Sequence, residues 1–339
     1  MDIVETPVQF ELEGPEILVE LKKNPPVAIL FSKVFFLSMI RPSTLHDNTC
    51  ISNMRVVRNN LKPDAKKILR YKNVCGFASP DNIEPNNIEP GKIDPNTTIP
   101  ATYLQTLFIG LLGKFITTPH FPINPMGLIQ VGQSFEQTRA VTTDEILNLS
   151  CQLHGITKTK KGIHSQFLLK VISNKEIVWK GISTFFTRSK NKPPQKKRDD
   201  RAEEKSLEIK ESIFVLRNTG LKYATVSGDY NPHHLYGFTA KMIGFKQPIA
   251  HGMWSLARVM ASMEKEFGVH YPIRADASFK LPIFMPAVIT LGHEPAKAIP
   301  EENPTLEIES NETRINFELR DTKKGLPHLK GQFALNMKQ

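Results

Sequence analysis

An aspartate and a histidine five residues apart, Asp229 and His234, lie in the stretch SGDYNPHHLYG (227–237), together with Asn231 and Pro232. A carboxylate and an imidazole held side by side can take a proton from water and return one, the equipment of general acid–base chemistry. Pro232 fixes one backbone dihedral and restricts Asn231 before it, which lowers the entropy cost of holding the pair. Asn231 can orient either partner through hydrogen bonds. Further on stands Gly252, in PIAHGMW, at the start of an apolar, helix-like segment. Backbone N–H groups at a helix N-terminus are free and partly positive, and glycine admits a ligand oxygen closely, so Gly252 can serve an oxyanion. These groups suit addition of water to an α,β-unsaturated thioester, which needs a base for the water, an acid for the α-carbon and donors for the thioester oxygen. By composition alone the same stretch reads better as a solvent-exposed polar turn.

Nearby residues have plainer readings. His251 is expected to pack at the helix start, and Met253, Met260 and Met263 to fill the core. A zinc site from His233, His234 and His251 is disfavoured, because adjacent histidines rarely converge on one ion and no cysteine or acid completes a known spacing. No metal and no resident cofactor are expected.

The elements that must hold these groups recur. HFPI at His120 returns as HYPI at His270, and Phe167 matches Phe317 at the same offset of 150. WKG at Trp179 matches LKG at Leu329, again 150 apart. YKNVCGF from Tyr71 pairs with YATVSGD from Tyr223 at 152, and Pro100 with Pro248 at 148. Anchors in one order indicate a duplicated domain. In the second copy, residues 253–267 read as an enclosed helix, apolar around most of its circumference. The runs ASFKLPIFM, AVITLGHE, TLEIES, TRINFELRD and LKGQFALNM then read as strands. The first copy repeats this with a helix over 103–116 and strands in IQVGQSFEQTRAV, ILNLSCQLHG, HSQFLLKVIS and VWKGISTFFTR. One helix followed by long antiparallel strands implies a sheet wrapped around a helix, built twice. The segment VAILFSKVFFLSM near the N-terminus fits a helix or a buried strand, and carries no functional assignment.

Composition narrows the classes. A chain of 339 residues with 40% hydrophobic content can bury two cores. Three cysteines, Cys50, Cys75 and Cys151, with no CxxC spacing, point to a reducing compartment rather than a disulfide framework. The acidic N-terminus lacks the features of a secretion signal, so a cytoplasmic protein is expected. The apolar runs Val27–Ile40 and 103–116 each contain a lysine and fall short of the roughly 20 residues of a spanning helix, so no membrane insertion is expected. The net charge is +10, of which residues 188–205, with eight bases and four acids, carry +4. That segment has two prolines and no aromatic residue, so it reads as a solvated linker and not as a nucleic-acid surface. The remaining charge suits a phosphate-bearing ligand, with Lys241, Lys246, Arg258 and Lys280 close in sequence to the motif.

YATVSGDYNPHH, followed by PIAHGMW and FKLPIF, resembles the MaoC-like dehydratases and R-specific enoyl-CoA hydratases of the hot-dog superfamily, strongly over 223–285 and more weakly along the whole chain. The resemblance implies an α+β double hot-dog fold, two antiparallel sheets each wrapped around a central helix. It implies a degenerate hot-dog domain with an N-terminal extension over 1–187, a basic linker over 188–206 and a catalytic domain over 207–339. It further implies that Asp229 and His234 hold the catalytic water, that Gly252 supplies an oxyanion-hole amide and that Asn231 supports them; His233 falls at the variable position of the motif. The activity implied is interconversion of trans-2-enoyl and (3R)-3-hydroxyacyl thioesters, with coenzyme A as the acyl carrier of the substrate, or an acyl carrier protein in its place. A homodimer is compatible with it. In the first copy Asp229 is replaced by Phe77, His234 nominally by Asn82 and Gly252 by Leu104, so that half is expected to shape the acyl pocket. A non-catalytic thioester-binding module and a hot-dog thioesterase are the alternatives.

Overall fold

The computed structural model describes residues 7–41, 45–46, 49–78, 94, 96–125, 127–189, 206–242, 244–296 and 312–336. Most of the basic linker, the TLEIES segment and Asn82 lie outside them.

Strands β1 (Val8–Phe10) and β2 (Leu12–Glu20) precede helix α1 (Val27–Ile40). Strand β3 (Ile51–Leu61) leads into α2 (Ala65–Cys75), then α3 (Ala101–Thr106) and α4 (Ile109–Ile116), then the strands β4 (Ile129–Gln137), β5 (Leu147–Thr159), β6 (Gly162–Ser173) and β7 (Glu176–Arg188). The same succession follows the linker: β8 (Ile209–Val215), α5 (Thr219–Ser227), a 3-10 turn (Pro232–His234), α6 (Gly237–Met242), α7 (Gly252–Phe267), then β9 (Ile273–Phe279), β10 (Ala287–Pro295), β11 (Glu312–Asp321) and β12 (Pro327–Asn336).

The strands form one sheet in the order β2-β3-β5-β6-β7-β4-β9-β12-β11-β10-β8, with β1 added on β5. Read outward from its middle, each side runs through the same series, so β3 to β7 and β8 to β12 are two copies joined where β4 pairs antiparallel with β9. The two expected sheets, one per copy, pair edge to edge through the β4–β9 ladder. The helices cross equivalent strands, α3 against β7 and α7 against β12.

The duplication has a physical signature in Gly181 and Gly331. A side chain at Gly181 would strike the Trp179 ring and the Ser134 carbonyl, and one at Gly331 the Phe317 ring and the Asp276 carbonyl. Each glycine lets a backbone and an aromatic ring close over the sheet at the same place in its copy. The apolar core is continuous across both, from Phe115, Phe121 and Phe167 on one side to Phe317 and Phe333 on the other.

Two expectations change and one open reading is decided. The helix over 103–116 is broken at Leu107 and Phe108, whose N–H groups bond three residues back, to Leu104 and Gln105. Strand β9 starts earlier, at Ile273, and ends within the FKLPIF run: Pro282 has no N–H for a ladder, and Phe284 bridges Ile249 instead. The segment VAILFSKVFFLSM is a helix, and its outer side is exposed. Among the described residues no helix is long and apolar enough to cross a membrane.

Candidate active site

Helix α5 ends on Gly228, whose φ of 89° is the left-handed cap that glycine adopts without strain. Directly after that cap the chain presents Asp229. The Asp229 N–H donates to Ser227 Oγ at 3.1 Å, and the Asn231 N–H donates to Asp229 Oδ1 at 3.2 Å, an Asx turn that fixes the carboxylate rotamer. Pro232 begins the 3-10 turn, and the His234 N–H returns to the Asn231 carbonyl at 3.0 Å. Asn231 therefore acts here through its main chain. Thr239 Oγ1 donates to the Pro232 carbonyl at 2.7 Å and ties α6 to the turn.

His234 is buried, with Nδ1 2.8 Å from the Ile249 carbonyl. A carbonyl can only accept, so Nδ1 carries the proton and Nε2 keeps the free lone pair. Burial, and then the neighbouring His251 and His233, hold its pKa well below the usual 6.5, so the ring is neutral at neutral pH. Asp229, His234 and His251 each offer a ligating atom, and these lie within 4.8 Å of one another. The Asp229 side chain is 35% exposed, so the buried imidazole faces a solvent-reachable carboxylate.

His251 caps α7 and stacks on His234, ring centroids 3.6 Å apart and planes 26° from parallel. Its Nε2 donates to the Asp229 carbonyl at 2.9 Å, and its Nδ1 is buried without a hydrogen-bond partner. Burial lowers its pKa to about 3, so it too is neutral. The sequence reading of His251 as a packing residue left out this bond, which locks the Asp229 main chain to the start of α7. Each histidine has one nitrogen held by a backbone carbonyl, which leaves the lone pairs of His234 Nε2 and His251 Nδ1 free on two rings stacked 26° from parallel.

Gly252 is the first residue of α7, beside the stacked pair, and the N–H groups of this first turn have no intrahelical acceptor. A Cβ at Gly252 would come 3.0 Å from the Phe279 ring, so the site also needs glycine for packing. FKLPIF reaches this point through Phe279 and through Ile283, whose carbonyl accepts from the Ala250 N–H.

The first copy braces the second. Trp254 Nε1 donates to the Val74 carbonyl at 3.1 Å, the Tyr71 and Tyr223 rings lie 5.9 Å apart, and Tyr223 packs on His251 at 4.8 Å. The repeat had paired Tyr71 with Tyr223, but not as neighbours. Arg258, one of the phosphate candidates, is engaged internally with Glu211 and Ser262, whereas Lys241, Lys246 and Lys280 are exposed.

Among the described residues, the first copy carries neither the acid nor the helix-start glycine of the site. Phe77 follows the left-handed cap Gly76 as Asp229 follows Gly228, and it is buried against Tyr71. The counterpart of Gly252 is Ala101, not Leu104. Thr98 bridges Thr142 as Ile249 bridges Phe284, and the Ile99 N–H meets the Val141 carbonyl as that of Ala250 meets Ile283. This sets the helix-start offset at 151, which pairs Pro100 with His251; the alignment on Pro248 was three residues out of register.

Residues 194–292 match the family model described as MaoC like domain. The 3-hydroxyacyl-thioester dehydratase X of Mycobacterium tuberculosis is 27% identical over 240 residues, 67% of this chain and 76% of that protein. Among solved structures, HtdX of Mycobacterium tuberculosis superposes with a TM-score of 0.62 at 22% identity, over 82% of this chain and 98% of that one. A MaoC-like dehydratase from Phytophthora capsici gives 0.61 at 17% identity, over 85% of this chain and 96% of that one.

Proposed function

From a chain that carries a MaoC-like domain on a double hot-dog fold, we propose a hydratase/dehydratase that interconverts trans-2-enoyl and (3R)-3-hydroxyacyl thioesters. The observation that carries the reading is the Asp229 carboxylate facing a neutral, buried His234 whose proton is committed to Ile249 on the far side of the ring. Water donates its two O–H bonds to the carboxylate and to His234 Nε2, which leaves an oxygen lone pair aimed at C3. One O–H bond breaks as the C3–O bond forms. The π electrons move to C2 and the thioester oxygen, where the N–H of Gly252 stabilises the enolate, and a proton from the pair then forms the C2–H bond. Dehydration is the same path reversed. Addition from the single face that the pair occupies gives one hydroxyl enantiomer.

The 3-hydroxyacyl-thioester dehydratase named among the relatives supports a thioester substrate; the carrier in this reading is coenzyme A or an acyl carrier protein. The test is product analysis after incubation with trans-2-enoyl-CoA. The reading predicts the (3R)-3-hydroxyacyl thioester with no free thiol. Free thiol would identify a thioesterase, and the (3S) product would overturn the stereochemical part.

A further inference from the structure

Helix α1 rests on α4 by one side only. Leu30 fits against Gly113, where a Cβ would come 2.7 Å from its Cδ1. Arg41 donates to the carbonyls of Ile116 and Thr118 at the end of α4, and Asn124 Nδ2 donates to the Ser38 carbonyl at 2.9 Å. The helix is thereby fixed, and its outer side is not polar. Phe35 and Phe36 are each 62% exposed, Met39 73% and Ile40 63%, with Ile29 beside them. Solvent-facing helices normally present polar side chains there, and a contiguous apolar face of this kind marks a contact site.

The surrounding charge identifies the partner. Residues 21–41 contain four bases, Lys22, Lys23, Lys33 and Arg41, and no acid. Lys22, Lys23 and Lys33 are exposed. At 14 residues the helix is about 21 Å long, too short to span a bilayer and suited to lying in its interface. Apolar side chains that enter the acyl region, with exposed lysines on the helix and on the segment leading into it, match an anionic lipid surface. A two-fold contact with a second copy fits less well, because it would bring Lys33 and its neighbours against their own kind.

We propose that α1 docks this protein on anionic membrane surfaces, with Phe35, Phe36, Met39 and Ile40 inserted and Lys22, Lys23 and Lys33 on the headgroups. The inference is independent of the hydratase reading.

The experiment is flotation of the full chain with phosphatidylcholine vesicles, with and without phosphatidylserine. Beside the wild type run Phe36→Ser/Met39→Ser/Ile40→Ser and Lys22→Glu/Lys23→Glu/Lys33→Glu, with melting and light scattering recorded for each. The expected result is wild-type binding to the serine-containing vesicles that weakens with salt and falls by about a hundredfold or more in either variant, with melting unchanged. No wild-type binding to either vesicle, or binding that both variants retain, would overturn the proposal. So would a wild-type dimer that the apolar variant turns into a monomer, since the face would then be a contact between copies.

Discussion

Tyr71 to Phe77 and Tyr223 to Asp229 are the same turn built twice: a helix carrying a buried tyrosine, a left-handed glycine cap at φ 82° or 89°, then the residue that differs. In the second half that residue is an acid reachable by solvent, and in the first a phenyl ring buried against Tyr71. At the helix start, His251 and Gly252 stand where the first half has Pro100 and Ala101. The tyrosine and the glycine cap are common to both turns, whereas the acid, the histidines and the second glycine are replaced in the first half, as the proposed chemistry would allow. The first half also acts as a brace, since its α2 supplies the carbonyl that holds Trp254 and the ring that backs Tyr223.

The comparison breaks most sharply at the reacting pair. Asp229→Asn and His234→Ala should each lower kcat/KM by on the order of 10³, and the double variant little further, because two groups that hold one water act as a unit. Phe77→Leu should leave the rate within a few-fold; steady-state kinetics on one enoyl-CoA reads all four. Next comes the donor. Gly252→Pro removes the N–H at a helix position that tolerates proline, after a residue whose φ of −66° and ψ of 138° suit one, and the rate should drop about 10²–10³-fold. Gly252→Ala keeps the N–H but meets Phe279, so it measures packing alone and should cost far less.

The histidine stack gives a pH signature. His234 and His251 stay neutral when folded and charge when unfolded, so below the unfolded value near 6.5 the unfolded state binds more protons and stability falls with falling pH. For His251 the loss runs from 6.5 down to about 3. His251→Gln keeps a donor for the Asp229 carbonyl and should flatten the acid side of a stability–pH series by about 1.4 kcal/mol per pH unit. In the wild type the acid limb of kcat/KM should lie below pH 6.5, since His234 must be neutral. The smallest effect belongs to the brace: Trp254→Phe strands the Val74 carbonyl and should cost about 1 kcal/mol in denaturant unfolding, with kcat little changed.

Much of this was legible in the residues. The repeat foretold two copies because Gly181 and Gly331, and Gly76 and Gly228, are demanded by backbone closeness and left-handed caps. The alignment failed at the helix start because proline is not what the fold requires there, and the matching β-bridges set a different register. The motif named Asp229, His234, Asn231 and Gly252, which lie together in the structure, but the main-chain bonds of His234 and His251, which fix the tautomer, leave no trace in residue type. The exposed side of α1 was equally hidden, since an apolar sequence gives no sign of which faces find partners.

The account stands most directly on the loss of ultraviolet absorbance of trans-2-enoyl-CoA, followed for wild type and the Asp229→Asn/His234→Ala double variant over several chain lengths. It predicts that the wild type bleaches the conjugated signal without releasing thiol, while the folded double variant binds the thioester and leaves the signal intact. A wild type that binds and never bleaches, or a double variant that bleaches as fast, would contradict it.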